Sequence, residues 1–245
     1  MEIKRGELLG VPVDCVDRTT ALQAVERMIA SGRQARAVIA VNPEKIMQVR
    51  GNPHLLRQLK SAGLLIPDGI GVVWAARILG IGKMERVPGS ELMPAICALA
   101  ARKGYRVFLF GARPDINAKA AAVLQERYPG LQVAGRQDGY LAADDMPALI
   151  ERINGSGAHV LFVALGSPKQ EMWMETFLPK LKIKVCQGVG GSFDVIAGTV
   201  KRAPEPFLDW HLEWFYRLMT QPKRARRQMV LPVFAWRILR QLFPT

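Results

Sequence analysis

The sequence predicts an α/β fold: a mostly parallel β-sheet with helices on both faces, followed by a C-terminal helical appendage. Three observations predict it. Unalternated apolar runs such as Arg106-Val-Phe-Leu-Phe110 and His159-Val-Leu-Phe-Val-Ala-Leu165 recur through residues 1–200, and strands buried on both faces read this way. Amphipathic helical stretches separate them, as the crossovers of a parallel sheet require. Three strand ends carry glycine, at Gly111, Gly166 and Gly190-Gly191. In such sheets ligands sit where strands end and helices begin.

The elements follow in order. Ala37-Val-Ile-Ala-Val41 reads as a strand. Pro43 to Leu59 reads as helix, broken or restarted near Gly51-Asn-Pro53. Leu64-Leu-Ile66 is a short strand that runs into Pro67-Asp68-Gly69, after which an apolar helix opens. Gly89 to Lys103 is a helix with an alanine-rich face. Strand 106–110 is followed by helix Asn117 to Tyr128, strand Gln132-Val-Ala134 and helix Met146 to Asn154. The strand ending at Gly166 leads into helix Pro168 to Leu178, and Lys184-Val-Cys186 leads into Gly188-Val-Gly-Gly191. The layering is Rossmann-like, although the last glycine segment lacks G-x-G-x-x-G spacing and no Walker A sequence occurs.

Composition shifts after Thr199, which divides the chain into an α/β domain over 1–200 and an appendage over 201–245. The appendage holds nine Lys and Arg residues against Glu205, Asp209 and Glu213. It therefore carries +6 of a formal net charge of +13. A charge of this size implies an anionic partner. Trp210, Trp214, Phe215, Leu231, Phe234, Trp236, Leu242 and Phe243 are interleaved with the basic residues, and Pro222 and Pro232 are expected to divide the segment into short helices. This apolar content favours adsorption to anionic lipid over nucleic-acid binding. A helical hairpin packed on the core with a solvated basic face is the plainer alternative. Cys15, Cys97 and Cys186 are scattered and read as free thiols of a reducing compartment. The first residues are too polar for a signal peptide, and no apolar run approaches the roughly 18 residues of a spanning helix.

Several segments could carry chemistry. Pro67-Asp68-Gly69 is a turn signature on local grounds. Its position also places the Asp68 carboxylate at the ligand edge of the sheet, where it could act as general base on a substrate hydroxyl. Gly166-Ser-Pro-Lys-Gln-Glu171 fits a capping box from Ser167 to Gln170, with Pro168 as the first helical residue. The same helix start could offer backbone N–H groups to a diphosphate, with Gln170 contacting substrate. In Gly188-Val-Gly-Gly-Ser-Phe-Asp194, Phe193 could stack on a base and Asp194 could accept from a ribose hydroxyl; a tight strand-to-helix turn is the alternative. His54, His159 and His211 show no metal spacing.

These segments together resemble the WecG/TagA/CpsF family of glycosyltransferases. The likeness rests on Val41-Asn-Pro-Glu-Lys45, Pro67-Asp-Gly-Ile-Gly-Val72, Glu85-Arg-Val-Pro-Gly89, Gly166-Ser-Pro-Lys-Gln-Glu171 and Gly188-Val-Gly-Gly-Ser-Phe-Asp-Val-Ile-Ala-Gly198. It continues through Lys201-Arg-Ala-Pro204, Leu212-Glu-Trp-Phe-Tyr-Arg-Leu218 and Pro222-Lys-Arg224. No single motif decides it; the number of motifs in this order does.

The resemblance implies an inverting, metal-independent transfer of N-acetylmannosamine from UDP to N-acetylglucosamine on undecaprenyl diphosphate, through a β-1,4 bond, in teichoic-acid linkage-unit or related cell-surface polysaccharide synthesis. Asp68 would be the base, with Gln170 and Arg86 as catalytic partners. Asn42, Gly111, Gly166, Pro168, Glu171, Gly190, Gly191, Phe193 and Asp194 would bind substrate. Arg217, Arg224 and Arg227 would close over the diphosphate while the tail rests on the bilayer. No cofactor and no metal are expected, and no Asp-x-Asp pair occurs. The expected partners are the UDP-sugar, the lipid-linked acceptor and anionic membrane lipid, with no nucleic acid; a homo-oligomer stays open. The expected place is the inner face of a bacterial cell membrane. A mannosaminuronic-acid or other hexose donor is the alternative within the chemistry, and a non-catalytic nucleotide- or lipid-binding regulator is the alternative outside it. Two positions depart from the family: Ala40 stands where threonine is frequent, and His211 where glycine is usual.

Overall fold

The computed structural model describes residues 3–31, 34–200, 204, 207, 216 and 229–242. The chain opens with an antiparallel hairpin, β1 (Arg5–Leu8) and β2 (Val11–Asp14). Its turn is Leu9-Gly10, both left-handed with φ of 52° and 83°. A leucine there hides the hairpin from sequence reading, since Asn or Gly is the usual occupant. Buried Asp14 ties the hairpin to the sheet: its carboxylate accepts from Arg5 Nε at 2.7 Å and from the Leu65 N–H at 2.8 Å. Helix α1 (Arg18–Ala30) follows, closed by a reciprocal cap between Asp17 and Thr20.

The main body then alternates strand and helix. It runs through β3 (Arg36–Val41), α2 (Pro43–Val49), α3 (Pro53–Ser61), β4 (Leu64–Pro67), α4 (Ile70–Ile78) and α5 (Gly89–Lys103). Next come β5 (Arg106–Gly111), α6 (Pro114–Arg127), β6 (Gln132–Gln137), α7 (Met146–Gly155) and β7 (Val160–Ala164). It ends with α8 (Lys169–Phe177), β8 (Val185–Gly188) and α9 (Ser192–Ile196). The last described helix is α10 (Val230–Leu242). The six strands of the main sheet lie in the order β4-β3-β8-β7-β5-β6, every neighbouring pair parallel. The expected α/β layering with a parallel sheet is therefore present.

Side chains from each strand divide between two apolar clusters, as the two-residue period of a strand requires. Ile39, Val41, Leu65, Phe108, Phe110, Leu161 and Val163 join the cluster that includes residues of α2, α3, α4, α7, α8 and α10. Val38, Leu64, Ile66, Val107, Leu109, Val160 and Phe162 join the cluster that includes residues of α1, α5, α6 and α9. Each face thus buries its own helices. The helix after β8 leaves to the opposite face from those after its neighbours β3 and β7, which opens a crevice at the C-terminal end of β8.

Two expectations need correction. Helix α6 starts at Pro114, not Asn117, because proline suits a first helical turn whose N–H groups have no intrahelical acceptor. Asn117 is instead buried inside it, donating from Nδ2 to the Gly111 carbonyl at 2.9 Å and the Gln137 carbonyl at 3.0 Å. Pro232 does not divide the tail; it is the third residue of α10, where the first-turn argument again applies. Pro222 lies outside the described residues. Cys97 and Cys186 are buried free thiols; burial pushes both upward, Cys97 to about 12, so they stay protonated at neutral pH. Among the described residues no helix is long and apolar enough to cross a membrane.

Candidate active site

Because the sheet is parallel, all six strand ends meet at one edge. Val41 lies opposite Pro67 in the ladder. The Asp68 N–H donates to the Val41 carbonyl at 2.8 Å, which carries the pairing one residue further and sets Asp68 beside Asn42. Gly69 then turns the chain into α4 with φ of 104°, a conformation that favours glycine. Asp68 is half-buried at this corner. The turn reading and the edge reading of Pro67-Asp68-Gly69 hold together.

Arg86 reaches the same corner by backbone pairing. The Val87 N–H donates to the Pro67 carbonyl at 2.8 Å, so the segment before α5 lies along the end of β4. The Arg86 guanidinium is 3.2 Å from Glu91 Oε1 in the first turn of α5. Asn42 acts locally, its side-chain oxygen accepting from the Lys45 N–H at 2.8 Å and so capping α2. Ala40 sits below, its methyl group 3.9 Å from where a Cβ on Gly89 would lie.

The Gly166–Glu171 segment differs from its expected form. Pro168 is the N-cap of α8, not its first helical residue, and no side chain caps this end. The Ser167–Gln170 capping box is absent because Gln170 is engaged elsewhere. Its Oε1 accepts from the Gly190 N–H at 2.9 Å, and its Nε2 donates to Glu171 Oε1 at 3.2 Å. Gly188 passes so close beneath that a Cβ would lie 2.8 Å from Gln170 Nε2. Glu171 is buried and its Oε1 also accepts from Lys45 Nζ at 2.8 Å. Desolvation alone would push its carboxyl upward, but the Lys45 ammonium and the hydrogen bonds outweigh this and hold it below the usual glutamate range. Glu171 therefore faces the protein rather than substrate.

Other expected binding residues serve packing and backbone geometry. Gly111, with φ of 114°, lets β5 approach β7: a Cβ would lie 2.4 Å from the Ala164 carbonyl oxygen. Phe193 is fully buried in the second apolar cluster, so its ring offers no face to a base. Asp194 terminates α9 through its carbonyl, which accepts from the Thr199 N–H at 3.0 Å. Gly166 and Gly190 take left-handed φ of 75° and 53° at the ends of β7 and β8, and Gly191 is the N-cap of α9. Arg217, Arg224, Arg227 and His211 lie outside the described residues.

The edge is bordered by α10. Phe234 is buried against the starts of α2 and α4: a Cβ on Gly71 would lie 3.2 Å from Pro43 and 3.9 Å from the Phe234 ring. Around this contact the helices expose large apolar side chains, Trp74 and Ile78 from α4 and Val233, Trp236 and Leu239 from α10. Helices α4, α5 and α8 all begin at this edge without a side-chain cap. Their first N–H groups and positive dipole ends suit an anionic ligand such as a diphosphate. Among the described residues no group of three or more His, Cys, Asp or Glu is placed to hold a metal.

Sequence reading missed Lys45, Gln58 and Gln187. Lys45 is four residues before buried Val49, on the apolar stripe of α2, and a lysine on such a stripe signals a buried partner. Gln187 interrupts the apolar end of β8; fully buried, it donates from Nε2 to the Gly89 carbonyl at 3.2 Å.

Comparison with known proteins matches the sequence to a family. The model of the "Glycosyl transferase WecG/TagA/CpsF family" matches residues 6–245. One curated relative, the N-acetylglucosaminyldiphosphoundecaprenol N-acetyl-beta-D-mannosaminyltransferase of Bacillus spizizenii, is 34% identical over 230 residues, covering 93% of this chain and 89% of the relative.

Proposed function

The chain belongs to the WecG/TagA/CpsF family of glycosyltransferases, and on that premise we propose that it transfers N-acetylmannosamine from UDP to N-acetylglucosamine on undecaprenyl diphosphate. The observation that carries this reading is the corner at Asp68. It combines a carboxylate at a parallel strand end, Arg86 brought to the same strand end, uncapped helix starts, and a neighbouring helix with exposed apolar side chains suited to a lipid-borne acceptor.

In the proposed reaction Asp68 takes the proton from the acceptor hydroxyl. The oxygen forms a bond to the anomeric carbon from the face opposite the diphosphate, and the bond to UDP breaks. The configuration inverts and a β-1,4 linkage results. Charge developing on the departing UDP is met by Arg86, by helix N–H groups and by Arg217, Arg224 and Arg227 of the basic tail. No metal is assigned a role; the absence of an Asp-x-Asp pair from the whole sequence supports this. The tail, with Trp74 and Ile78 of α4, rests on anionic lipid at the inner face of the membrane. The 1–200 body is then the catalytic domain and 201–245 the membrane-associating appendage.

The test is UDP release from a panel of UDP-sugars with lipid-linked N-acetylglucosamine as acceptor and EDTA present. The expected result is fastest release with UDP-N-acetylmannosamine and no loss on adding EDTA. Preference for the mannosaminuronic acid or another hexose overturns the donor assignment. Dependence on a divalent ion overturns metal independence, and no release with any donor favours a binding protein.

A further inference from the structure

A buried polar chain runs between the two halves of the edge and reaches the crevice at the end of β8. Lys45 and Glu171 have side chains only 6% and 3% exposed and are paired at 2.8 Å, although 126 residues separate them. Lys45 follows the strand end that carries Asn42; Glu171 follows the strand end that carries Gly166. The pair thus ties the start of α2 to the start of α8. Gln58 of α3 adds a second tie, donating from Nε2 to the Glu171 carbonyl at 2.7 Å.

The pair also fixes an amide. A carboxylate oxygen can only accept, so the Gln170 group beside Glu171 Oε1 is the NH2. The Gly190 N–H can only donate, so the Gln170 atom beside it is the oxygen. Both ends select one orientation. With Glu171 ionised, Gln170 holds the N–H of Gly190, whose left-handed turn lies between β8 and α9.

We propose that Lys45 and Glu171 are positioning residues: their ion pair orients the Gln170 amide, which in turn pins the Gly190-Gly191 turn in the crevice at the end of β8. The catalytic consequence rests on the functional reading above; the structural consequence does not. Gln170 then acts through the turn that it holds. Gly188 is a glycine because a Cβ there would press on the Gln170 amide. Among the described residues Lys45 is the cation paired with Glu171. A separate contact between α3 and α8 brings His54 within 3.6 Å of Glu175, with side chains 70% and 39% exposed. Removing the Lys45 charge leaves a carboxylate in a desolvated place, which raises its affinity for a proton.

Amide hydrogen exchange read by mass spectrometry tests this on the full chain. In Lys45→Met the peptide covering Gly188–Gly191 should exchange about tenfold faster or more, while peptides of β5 and β7 stay within about twofold. In Lys45→Met/Glu171→Gln, where a neutral pair replaces the ionic one, protection at Gly190 should return to within about threefold of wild type. Sugar transfer should fall about tenfold in the single variant and recover in the double. Unchanged exchange at Gly190 in the single variant overturns the proposal. So does equal acceleration along the whole chain, or a double variant no better protected than the single. A wild-type chain that transfers no sugar overturns the functional reading and leaves the exchange result standing.

Discussion

At the scale of single residues, the edge is organised by side chains that hold one another before any substrate arrives. Gln170 is bonded at both ends, Glu171 is neutralised by Lys45, and Asn42 caps the helix behind it. Removing one partner of a buried ion pair such as Lys45–Glu171 typically costs about 3–5 kcal/mol. Gly111 makes a different argument. Its φ of 114° and the 2.4 Å approach of a Cβ to the Ala164 carbonyl leave no room for a side chain. Gly111→Ala should therefore destabilise the fold by roughly 1–3 kcal/mol from strain alone, with the clash added. Chemical denaturation checks this, and a variant as stable as wild type would show that the backbone shifts without cost. The glycine was visible in the sequence as a strand-end residue; whether it served a ligand or a neighbouring strand was not, because Ala164 lies 53 residues away in the chain. Lys45 and Glu171 were hidden for the same reason.

At the scale of elements, the helices at the strand ends sort by how they begin. Helix α2 is capped by Asn42, whereas α4, α5 and α8 start without side-chain caps at the edge where a diphosphate is proposed to lie. Helix α10 is amphipathic: Phe234 and Ile238 are buried and contribute roughly 2 kcal/mol each to its docking, while Trp236 and Leu239 are more than half exposed. Arg240 stacks over Trp236, its guanidinium carbon 5.4 Å from the ring centroid, so charge and aromatic surface face outward together. Trp236→Glu with Leu239→Glu should leave the fold intact, because both side chains face solvent. It should lower co-sedimentation with vesicles containing anionic lipid by about tenfold or more. Equal co-sedimentation by the variant would remove α10 from the lipid-binding surface. Element types were largely legible, since apolar runs and glycine or proline boundaries marked strands and helices. The β1–β2 hairpin was not, because Leu9 occupies its turn, and Pro232 misled because a proline at a helix start resembles one that breaks a helix.

At the scale of the whole molecule, strand order explains why the site lies where it does. Residues from opposite ends of the sequence meet at one edge only because β8 inserts between β3 and β7 and sends α9 to the other face. Parallel layering followed from the pattern of apolar runs; the order β4-β3-β8-β7-β5-β6 did not, because no local signal encodes which strands pair. The charge distribution was legible in full, and its sign suits the anionic donor, carrier and surface that are proposed. Asp68, at the corner where β4, the Arg86 segment and α10 converge, is the proposed base for sugar transfer. The most direct measurement is the turnover of Asp68→Asn with lipid-linked N-acetylglucosamine, beside its affinity for UDP. Transfer should fall about 100-fold or more, with UDP affinity within about threefold of wild type. Near-normal turnover in Asp68→Asn would contradict this assignment.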